Sequence, residues 1–205
     1  HEIRNPLGAI SHAAQLLREE PGMNDTAARL ISIINENSGR LDRMVNDVLR
    51  LNRGERARRE RFRLAAFLAG FVEQFSQIEK IDPGVFRIEQ HADPDVLFDR
   101  SHLNQVMWNL CRNALRHCRR GPASIVIRSA LERAVGVVKL DVVDDGPGVI
   151  PEARAQLFEP FFTTAAGGTG LGLYIAREVC EANGATLDYV EAPGGAQFTV
   201  RCWAG

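Results

Sequence analysis

The sequence has no excess of charge of either sign. Its 205 residues include 25 Lys and Arg against 26 Asp and Glu, which leaves a formal net charge of −1. A protein with such balanced charge has no overall field that would draw it to nucleic acid or to an anionic membrane surface. Direct binding to nucleic acid is therefore not expected.

Long apolar segments are also missing from the sequence. No stretch reaches the roughly 18 consecutive apolar residues of a membrane-spanning helix, and no signal peptide is visible. The sequence as it stands is expected to be soluble. It opens at His1 on a helical pattern without an initiating Met, so we expect it to be part of a longer protein.

Cysteines are few, and none of them forms a metal-binding or redox motif. Cys111, Cys118, Cys180 and Cys202 show neither CxxC spacing nor a clustered set of His and Cys ligands. All four stand in apolar contexts that suit reduced thiols in a core. Such thiols are typical of a protein in a reducing cytoplasm.

The first 53 residues have the pattern of two helices joined by a turn at residues 21–24. Asn24 or Asp25 can cap the second helix. Apolar residues recur at heptad spacing in both helices, and two helices cannot enclose two such stripes by themselves. We therefore predict a homodimer in which two hairpins form a four-helix bundle. The stripes consist of Ile3, Leu7, Ile10, Ala14 and Leu17 in the first helix and Ala27, Leu30, Ile34, Asn37, Leu41, Met44, Val48 and Leu51 in the second.

Beyond the hairpin, the sequence predicts a mixed domain of the α+β class. The charge-dense stretch RGERARRERFR at 53–63 is interpreted as a linker or a solvated helix end rather than a basic binding patch. We thus expect a hairpin over 1–54, a linker over 55–63 and a second domain over 64–205. Helices are predicted near 64–77, 101–118 and 169–183, and strands near 85–90, 96–99, 124–132, 136–144, 186–191 and 196–202.

His1 is a candidate nucleophile. On a helical wheel it shares a stripe with Asn5 and His12, nearly opposite the apolar stripe, so it is not a core histidine. A solvated surface histidine is the alternative. The carboxylate of Glu2, however, could hold one imidazole nitrogen protonated and leave the other as a nucleophile. Asn5 could orient a water, and Pro6 should loosen the helix beside the histidine.

Two asparagines form a second candidate site. Asn109 and Asn113 lie one turn apart on the polar face of a predicted helix, where Asn is mildly unfavourable. An ordinary exposed surface is the alternative explanation. An amide oxygen is a hard ligand suited to Mg²⁺, which keeps several waters and bridges to substrate phosphates.

A third candidate is the segment VVDDGPGVI, in which an apolar strand ends at Asp144 and Asp145. Asp, Gly and Pro are common in surface turns, which is the alternative explanation. The functional interpretation is that Gly146 and Gly148 let the backbone approach a flat ligand. A carboxylate at the strand end would then accept hydrogen bonds from an exocyclic amine.

A fourth candidate is the glycine-rich segment GGTGLGL. Gly167, Gly168, Gly170 and Gly172 lead into an amphipathic helix, and backbone N–H groups at a helix N-terminus favour phosphate. A dinucleotide fingerprint would follow the first strand of a parallel sheet. Here the glycines follow LFEPFFTTAAG, which is typical of a mobile loop with aromatic anchors, so a Rossmann site is disfavoured.

Together these segments resemble the histidine kinases of two-component systems over essentially the whole chain. HEIRNPL looks like the H-box of that family, NLCRNA the N-box, DDGPG the G1 box, LFEPFF the F-box and GTGLGL the G2 box, in the family's order. The FFTT segment and GLYIAREVCEANGA look most like the NtrB and PilS branch. The resemblance implies a dimeric phosphoacceptor hairpin followed by a Bergerat-type α/β sandwich that binds ATP, as in gyrase, Hsp90 and MutL.

The resemblance also implies roles for single residues. His1 would be the phosphoacceptor, Glu2 its acid/base partner and Asn5 the residue that positions water during dephosphorylation of the partner protein. Asn113 would bind Mg²⁺, with Asn109 and His117 near the phosphates. Asp144 would read the adenine amino group. The remaining ATP-binding positions would be Gly146 and Gly148 at the adenine pocket, Phe158 in the lid that runs to Gly168, and Gly168, Thr169, Gly170, Leu171 and Gly172 near the phosphates.

The function implied by the resemblance is autophosphorylation of His1 from Mg-ATP and transfer to an aspartate in the receiver domain of a response regulator. The chain would be the cytoplasmic portion of a bacterial sensor, anchored in the membrane only through a part that precedes His1. One departure is Ala165, where relatives of this branch often carry Lys after FFTT. A cation there would neutralise charge on the transferred phosphoryl group. A nucleotide-binding module with weak transfer, a hydrolysing ATPase and a net phosphatase are the alternatives.

Overall fold

The structure, a computed structural model, describes residues 4–19, 24–52, 57–90, 93–165 and 168–205. The chain divides into two compact units. The first, here called the helical unit, comprises His1–Gly54 and Glu159–Leu171. The second, the α/β unit, comprises Glu55–Phe158 and Gly172–Gly205.

The helical unit contains the predicted hairpin, with helices α1 (Arg4–Glu19) and α2 (Asp25–Asn52) packed against each other. The side-chain oxygen of Asn24 accepts a hydrogen bond from Ala27 N–H at 2.8 Å and so caps α2, as predicted. Ala14 and Ile31 are buried. Most stripe residues whose exposure the structure describes are instead exposed in the single chain, and Ile31, a buried residue of α2, lies outside the predicted stripe. The exposed members are Ile10, Leu17, Leu30, Ile34 and Leu41.

The α/β unit is built on a five-stranded sheet in the order β2-β4-β5-β7-β6. Strands β2 (Phe86–Gln90) and β4 (Ile125–Glu132) pair in parallel, and all other neighbours are antiparallel. The remaining strands are β5 (Val137–Asp144), β6 (Thr186–Ala192) and β7 (Gly195–Trp203).

Three helices supply the apolar side chains that pack against this sheet: α3 (Leu64–Glu79), α4 (Arg100–His117) and α6 (Gly172–Ala182). A short helix, α5 (Pro151–Arg154), lies between α4 and α6 in the chain. Because strand residues alternate between faces, Leu140 and Val142 join the core while Asp141 lies on the opposite face. The predicted α+β class is confirmed. The predicted helices and strands agree with the structure to within about three residues.

Part of the predicted linker is a strand. Glu60–Arg63 forms β1, which pairs antiparallel with β3 (Asp95–Phe98) in a separate two-stranded sheet. Phe62 is buried against Phe67, with ring centroids 5.5 Å apart, and the Arg100 guanidinium lies 4.4 Å from the Phe62 ring. Strand β1 packs against the core through Phe62, while Arg61 and Arg63 on either side of it are exposed. Because the segment is so rich in charged residues, its sequence is typical of a linker and does not predict a strand.

Two smaller differences concern α6 and the cysteines. Helix α6 begins at Gly172, so residues 169–171 of the predicted helix lie before it. Cys111, Cys180 and Cys202 are buried core thiols as predicted, and burial raises the pKa of Cys202 to about 12. Cys118 is only half-buried, at the end of α4. Within the described ranges, no helix has the length and apolar character needed to cross a bilayer.

Candidate functional site

The candidate site is centred on Asp144, the last residue of β5. Its carboxylate is buried, and its Oδ1 accepts hydrogen bonds from Gly146 N–H at 2.9 Å and Ala196 N–H at 3.4 Å. Burial raises the pKa of Asp144, against the effect of those two hydrogen bonds. Among the described residues no donor contacts Oδ2, which is therefore the oxygen that can accept a hydrogen bond from a ligand.

Close backbone approaches explain the glycines around Asp144. A Cβ on Gly146 would lie 2.6 Å from the carbonyl oxygen of His117 and 2.8 Å from Asp144 Oδ1. A Cβ on Gly195 would overlap the carbonyl oxygen of Asp144. The hairpin of β6 and β7, with Gly195 as the first residue of β7, is thus part of the site. Gly195 is not among the predicted site residues, although a glycine pair between two strand patterns is a hairpin signal.

Helix α4 carries the predicted asparagine face. Asn109 and Asn113 are half-buried. The opposite face, Val106, Leu110 and Ala114, is buried in the core, as the helical period predicted.

Both ends of the asparagine helix are fixed. Asp99 caps its first turn by accepting hydrogen bonds from Ser101 N–H and His102 N–H. Its last residue, His117, contacts the Gly146 backbone through its carbonyl group.

The start of α6 also reaches the asparagine face. A Cβ on Gly172 would lie 3.6 Å from Asn109 Oδ1, so the first residue of α6 lies beside the Asn109 side chain. The structure therefore pairs four predicted positions in the α/β unit: the Asp144 carboxylate with the turn glycine Gly146, and the Asn109 amide with the helix start at Gly172. A glycine at the first turn of a helix leaves room for an anion at its unpaired N–H groups.

Phe158 is the last residue of the α/β unit before the rest of the predicted lid. Its ring packs edge-on against Phe198 of the core, with centroids 6.4 Å apart. The Arg177 guanidinium of α6 lies 5.3 Å from the same ring. These contacts make Phe158 an anchor for the segment that follows it.

The remaining lid positions belong to the helical unit. Leu171 N–H donates to Thr169 Oγ1 at 3.3 Å. Gly170 has φ +72°, and a Cβ there would overlap the backbone of Phe161. Gly168 is buried and its N–H donates to the Ala165 carbonyl at 3.1 Å. Their expected place near phosphates stays a prediction, as does that of Gly167, which lies outside the described residues.

The predicted phosphoacceptor lies outside the described residues. His1 and Glu2 precede the first described residue, and Asn5 is described only as part of the α1 backbone. The roles expected for these three residues stay predictions.

The amide groups of α4 suit a magnesium site in which waters and substrate phosphates supply the other ligands, rather than a site made of protein ligands alone. No group of three or more His, Cys, Asp or Glu side chains in the described ranges is arranged to hold a metal ion. Asn109 and Asn113 supply neutral oxygen ligands, and Mg²⁺ takes such ligands together with waters and substrate phosphates.

Two family profiles match the chain. The profile described as "Histidine kinase-, DNA gyrase B-, and HSP90-like ATPase" covers residues 98–204. The "His Kinase A (phospho-acceptor) domain" covers residues 1–57. The chain belongs to the sensor histidine kinases. Their family order of a phosphoacceptor hairpin followed by an ATPase-type domain is the order found here, and the predicted resemblance is confirmed.

Curated relatives agree with this assignment. The chain is 41% identical over 191 residues to the sensor protein kinase PilS of Pseudomonas aeruginosa, covering 92% of this chain and 36% of that protein. It is 33% identical to the sensor histidine kinase ZraS of Klebsiella oxytoca, over 97% of this chain and 43% of that protein. The sensory histidine kinase/phosphatase NtrB of Vibrio alginolyticus is 30% identical, with coverage of 98% and 59%. The chain thus spans less than two thirds of these relatives.

Solved structures of histidine kinases share the fold. Full-length ShkA in complex with AMPPNP aligns with a TM-score of 0.72 at 27% identity, over 100% of this chain and 44% of that one. Histidine kinase ThkA in complex with the response regulator protein TrrA aligns with a TM-score of 0.71 at 26% identity, over 100% and 59%.

Proposed function

We propose that this chain is the kinase core of a two-component sensor. It binds Mg-ATP, phosphorylates His1 and passes the phosphoryl group to an aspartate of a response regulator receiver domain. The observation that carries the proposal is the buried Asp144 carboxylate on a glycine turn, packed against the end of a helix with an asparagine face. The AMPPNP bound to ShkA and the regulator bound to ThkA support it.

The adenine end of the site is the turn that follows β5. Two backbone N–H groups hold Asp144 Oδ1, so Oδ2 accepts the hydrogen bond of the exocyclic amine of adenine. Gly146 and Gly148 would shape the pocket for the base, because the space that a Cβ would need at each is taken by the carbonyl groups of His117 and Gly195, and only glycine lets the turn pack this closely. Gly148 has φ +76°, which other residues rarely adopt.

The phosphate end is the polar face of α4 together with the start of α6. Asn113 would hold Mg²⁺, and Asn109 and His117 would lie near the phosphates. Bound magnesium would neutralise charge on the β- and γ-phosphates during transfer. Gly168, Thr169, Gly170, Leu171 and Gly172 would lie around the same phosphates, with the unpaired N–H groups at the start of α6 facing the anion.

The chemical step is an in-line displacement at the γ-phosphorus. The unprotonated imidazole nitrogen of His1 forms the new N–P bond as the bond from the γ-phosphorus to the β,γ-bridging oxygen breaks, and ADP leaves. Glu2 holds the proton on the other nitrogen and takes it as positive charge develops on the ring. Positioning and charge stabilisation supply most of the rate in such transfers.

The proposed working form is a homodimer. Leu30, Ile34 and Leu41 of α2 are 56%, 41% and 49% exposed in the single chain, and a second hairpin would cover them in a four-helix bundle. The response regulator would dock on the outer face of that bundle below His1. Asn5 would position a water when the chain removes phosphate from the regulator, an activity that the name of the NtrB relative includes. We further propose that the chain is the cytoplasmic portion of a membrane-anchored bacterial sensor.

The test is incubation with γ-labelled ATP and Mg²⁺, beside a His1→Ala variant. We expect acid-labile, base-stable label on the wild type and none on His1→Ala. Label on His1→Ala would overturn the assignment of the phosphoacceptor. Phosphate release without a labelled protein would instead indicate a hydrolysing ATPase.

The second candidate function, a nucleotide-binding module with weak phosphoryl transfer, rests on Ala165, which stands where branch relatives often carry Lys. If the missing cation weakens transfer, the wild type binds ATP but accumulates little phosphohistidine, as a nucleotide-binding module would. Ala165→Lys is the matched variant, because it restores the charge that branch relatives often carry. A large gain in labelling by Ala165→Lys over a weakly labelled wild type would favour this second function.

A further inference from the structure

We propose that Asp145 is a positioning residue for the nucleotide site, which fixes Asp144 at the end of β5 relative to the asparagine face of α4. The inference rests on the proposed function and deepens it. It concerns a side chain that the sequence shows only as the second acidic residue of DDGPG.

Asp145 makes three hydrogen bonds to the loop that connects α4 to β4. Its Oδ1 accepts from Arg119 N–H at 2.8 Å, and its Oδ2 accepts from the Ser124 hydroxyl at 2.9 Å. Its own N–H donates to the Ser124 carbonyl at 3.1 Å. The side chain and backbone of one residue therefore bind both ends of that loop.

The loop needs these hydrogen bonds because two of its residues have an unfavourable backbone conformation. Arg120 and Ala123 have φ +60° and +55°, values that non-glycine residues rarely adopt. Such residues persist where the surroundings determine their conformation. Ser124 is 2% exposed and its hydroxyl also accepts from Gly121 N–H at 2.9 Å, so the Ser124 hydroxyl links the loop interior to Asp145.

The same contacts connect the two sides of the site. Arg119 follows His117 by two residues, and the His117 carbonyl contacts the Gly146 backbone. The C-terminal end of α4, the loop and the turn after β5 are thus joined at Asp145. Asp144 is its neighbour in the chain, so loss of the Asp145 carboxylate shifts the base-reading oxygen relative to Asn109 and Asn113.

The carboxylate suits this role because it accepts from both donors at once. Partial burial would raise the pKa of Asp145, but the hydrogen bonds from Arg119 N–H and the Ser124 hydroxyl outweigh it and lower the pKa. The group is therefore charged at neutral pH and acts only as an acceptor. Hydrogen bonds to a charged acceptor are stronger than those between neutral groups.

A matched pair of hydroxyl deletions tests the proposal. The Thr199 hydroxyl donates to Asp141 Oδ1 at 2.6 Å further back on β5, so Thr199→Val removes a comparable bond away from the site. We expect Ser124→Ala to raise the Kd for Mg-ATP about tenfold, the value of one lost charge-assisted hydrogen bond. Thr199→Val should leave that Kd within about twofold of wild type.

Nucleotide discrimination separates positioning from general loss of structure. Inosine triphosphate lacks the exocyclic amine that Asp144 reads. We expect Asp145→Ala to weaken ATP binding by about tenfold or more but inosine triphosphate binding by much less. The ratio of the two dissociation constants, which measures the preference for ATP over inosine triphosphate, should therefore fall. Asp145→Asn keeps an acceptor oxygen for Arg119 N–H and should restore most of the preference.

The outcomes are distinguishable. If wild type binds ATP and Asp145→Ala or Ser124→Ala loses both nucleotides in proportion, the role of Asp145 is merely structural and the positioning proposal fails alone. Unchanged ATP affinity in folded Ser124→Ala overturns it as well. If wild type does not bind ATP, the proposed function itself fails, and the positioning role fails with it.

Discussion

The two units of the chain bury their apolar side chains very differently. In the α/β unit the large core residues Phe75, Phe98 and Leu110 are each less than 2% exposed. In the hairpin, Leu30, Ile34 and Leu41 of α2 are each more than 40% exposed. The α/β unit therefore completes its core within one chain, whereas the hairpin leaves apolar surface that a second apolar surface would cover. Four predictions test this difference.

The largest effect is expected in the core of the α/β unit. Leu110 is fully buried in α4, and Leu110→Ala should lower the free energy of unfolding by about 3–5 kcal/mol, because a cavity remains where the side chain was. Leu30→Ala deletes the same atoms from an exposed position. The check is chemical denaturation followed by a probe of the α/β unit, such as the fluorescence of Trp108.

A small effect of Leu110→Ala on that transition would mean that the core of the α/β unit is less complete than its burial indicates. Leu30→Ala is the control. It should leave the Trp108 transition within about 0.5 kcal/mol of wild type, since an exposed side chain loses little transfer free energy.

The second prediction concerns the exposed stripe of α2. Ile34→Lys places a charge where a second hairpin would pack, and we expect it to weaken self-association by about 100-fold or more. The measurement is sedimentation equilibrium over a range of concentrations. Ile150→Lys changes an equally apolar residue that is 60% exposed in the α/β unit, and should leave self-association unaltered. Equal weakening by both variants would contradict the assignment of the dimer face to α2.

The third prediction is a gain of stability at the cost of function. Burial raises the pKa of Asp144, so its ionised form destabilises the folded chain without ligand at neutral pH. Asp144→Asn keeps an oxygen for Gly146 N–H and removes the charge. We expect it to raise the free energy of unfolding at pH 7 by about 1–2 kcal/mol and to abolish most ATP binding.

The pH dependence of that gain has a definite sign. Between the ordinary pKa of 3.8 and the raised pKa of Asp144, the folded state binds more protons than the unfolded state, so this group's contribution to stability falls as pH rises. The stability difference between Asp144→Asn and wild type should therefore be largest at neutral pH and shrink as pH falls through the raised pKa. A difference that stays constant down to about pH 4 would contradict burial as the cause.

The sequence predicted the elements of the site better than their contacts. Helical spacing was enough to place Asn109 and Asn113 on one face of α4, because the period of a helix determines which residues share a face. The strand pattern likewise placed Asp144 at the end of β5. The contact of Gly195 with the Asp144 carbonyl depends on the pairing of β5 with β7, and a residue's own neighbourhood in the sequence does not encode that pairing.

Strand β1 was not predicted from the sequence, for a different reason. Its alternation rests on Phe62 alone, and the charges around it are typical of a linker. Its partner strand β3 lies more than 30 residues away, with register pairs such as Phe62 and Val96. Short edge strands that depend on such distant partners carry little local signal.

The smallest effect is expected at the cap of α2. Asn24 accepts one exposed hydrogen bond from Ala27 N–H, and Asn24→Ala should lower the stability of the hairpin by about 0.5–1 kcal/mol. Thr26→Ala, two residues on and also exposed, is the control and should change little. Hydrogen exchange measures both units in one experiment. Asn24→Ala should speed exchange in α2 and leave α4 unchanged, since α4 has its own cap at Asp99. Faster exchange in both helices would mean that the two units unfold as one, and the comparison between them would then fail.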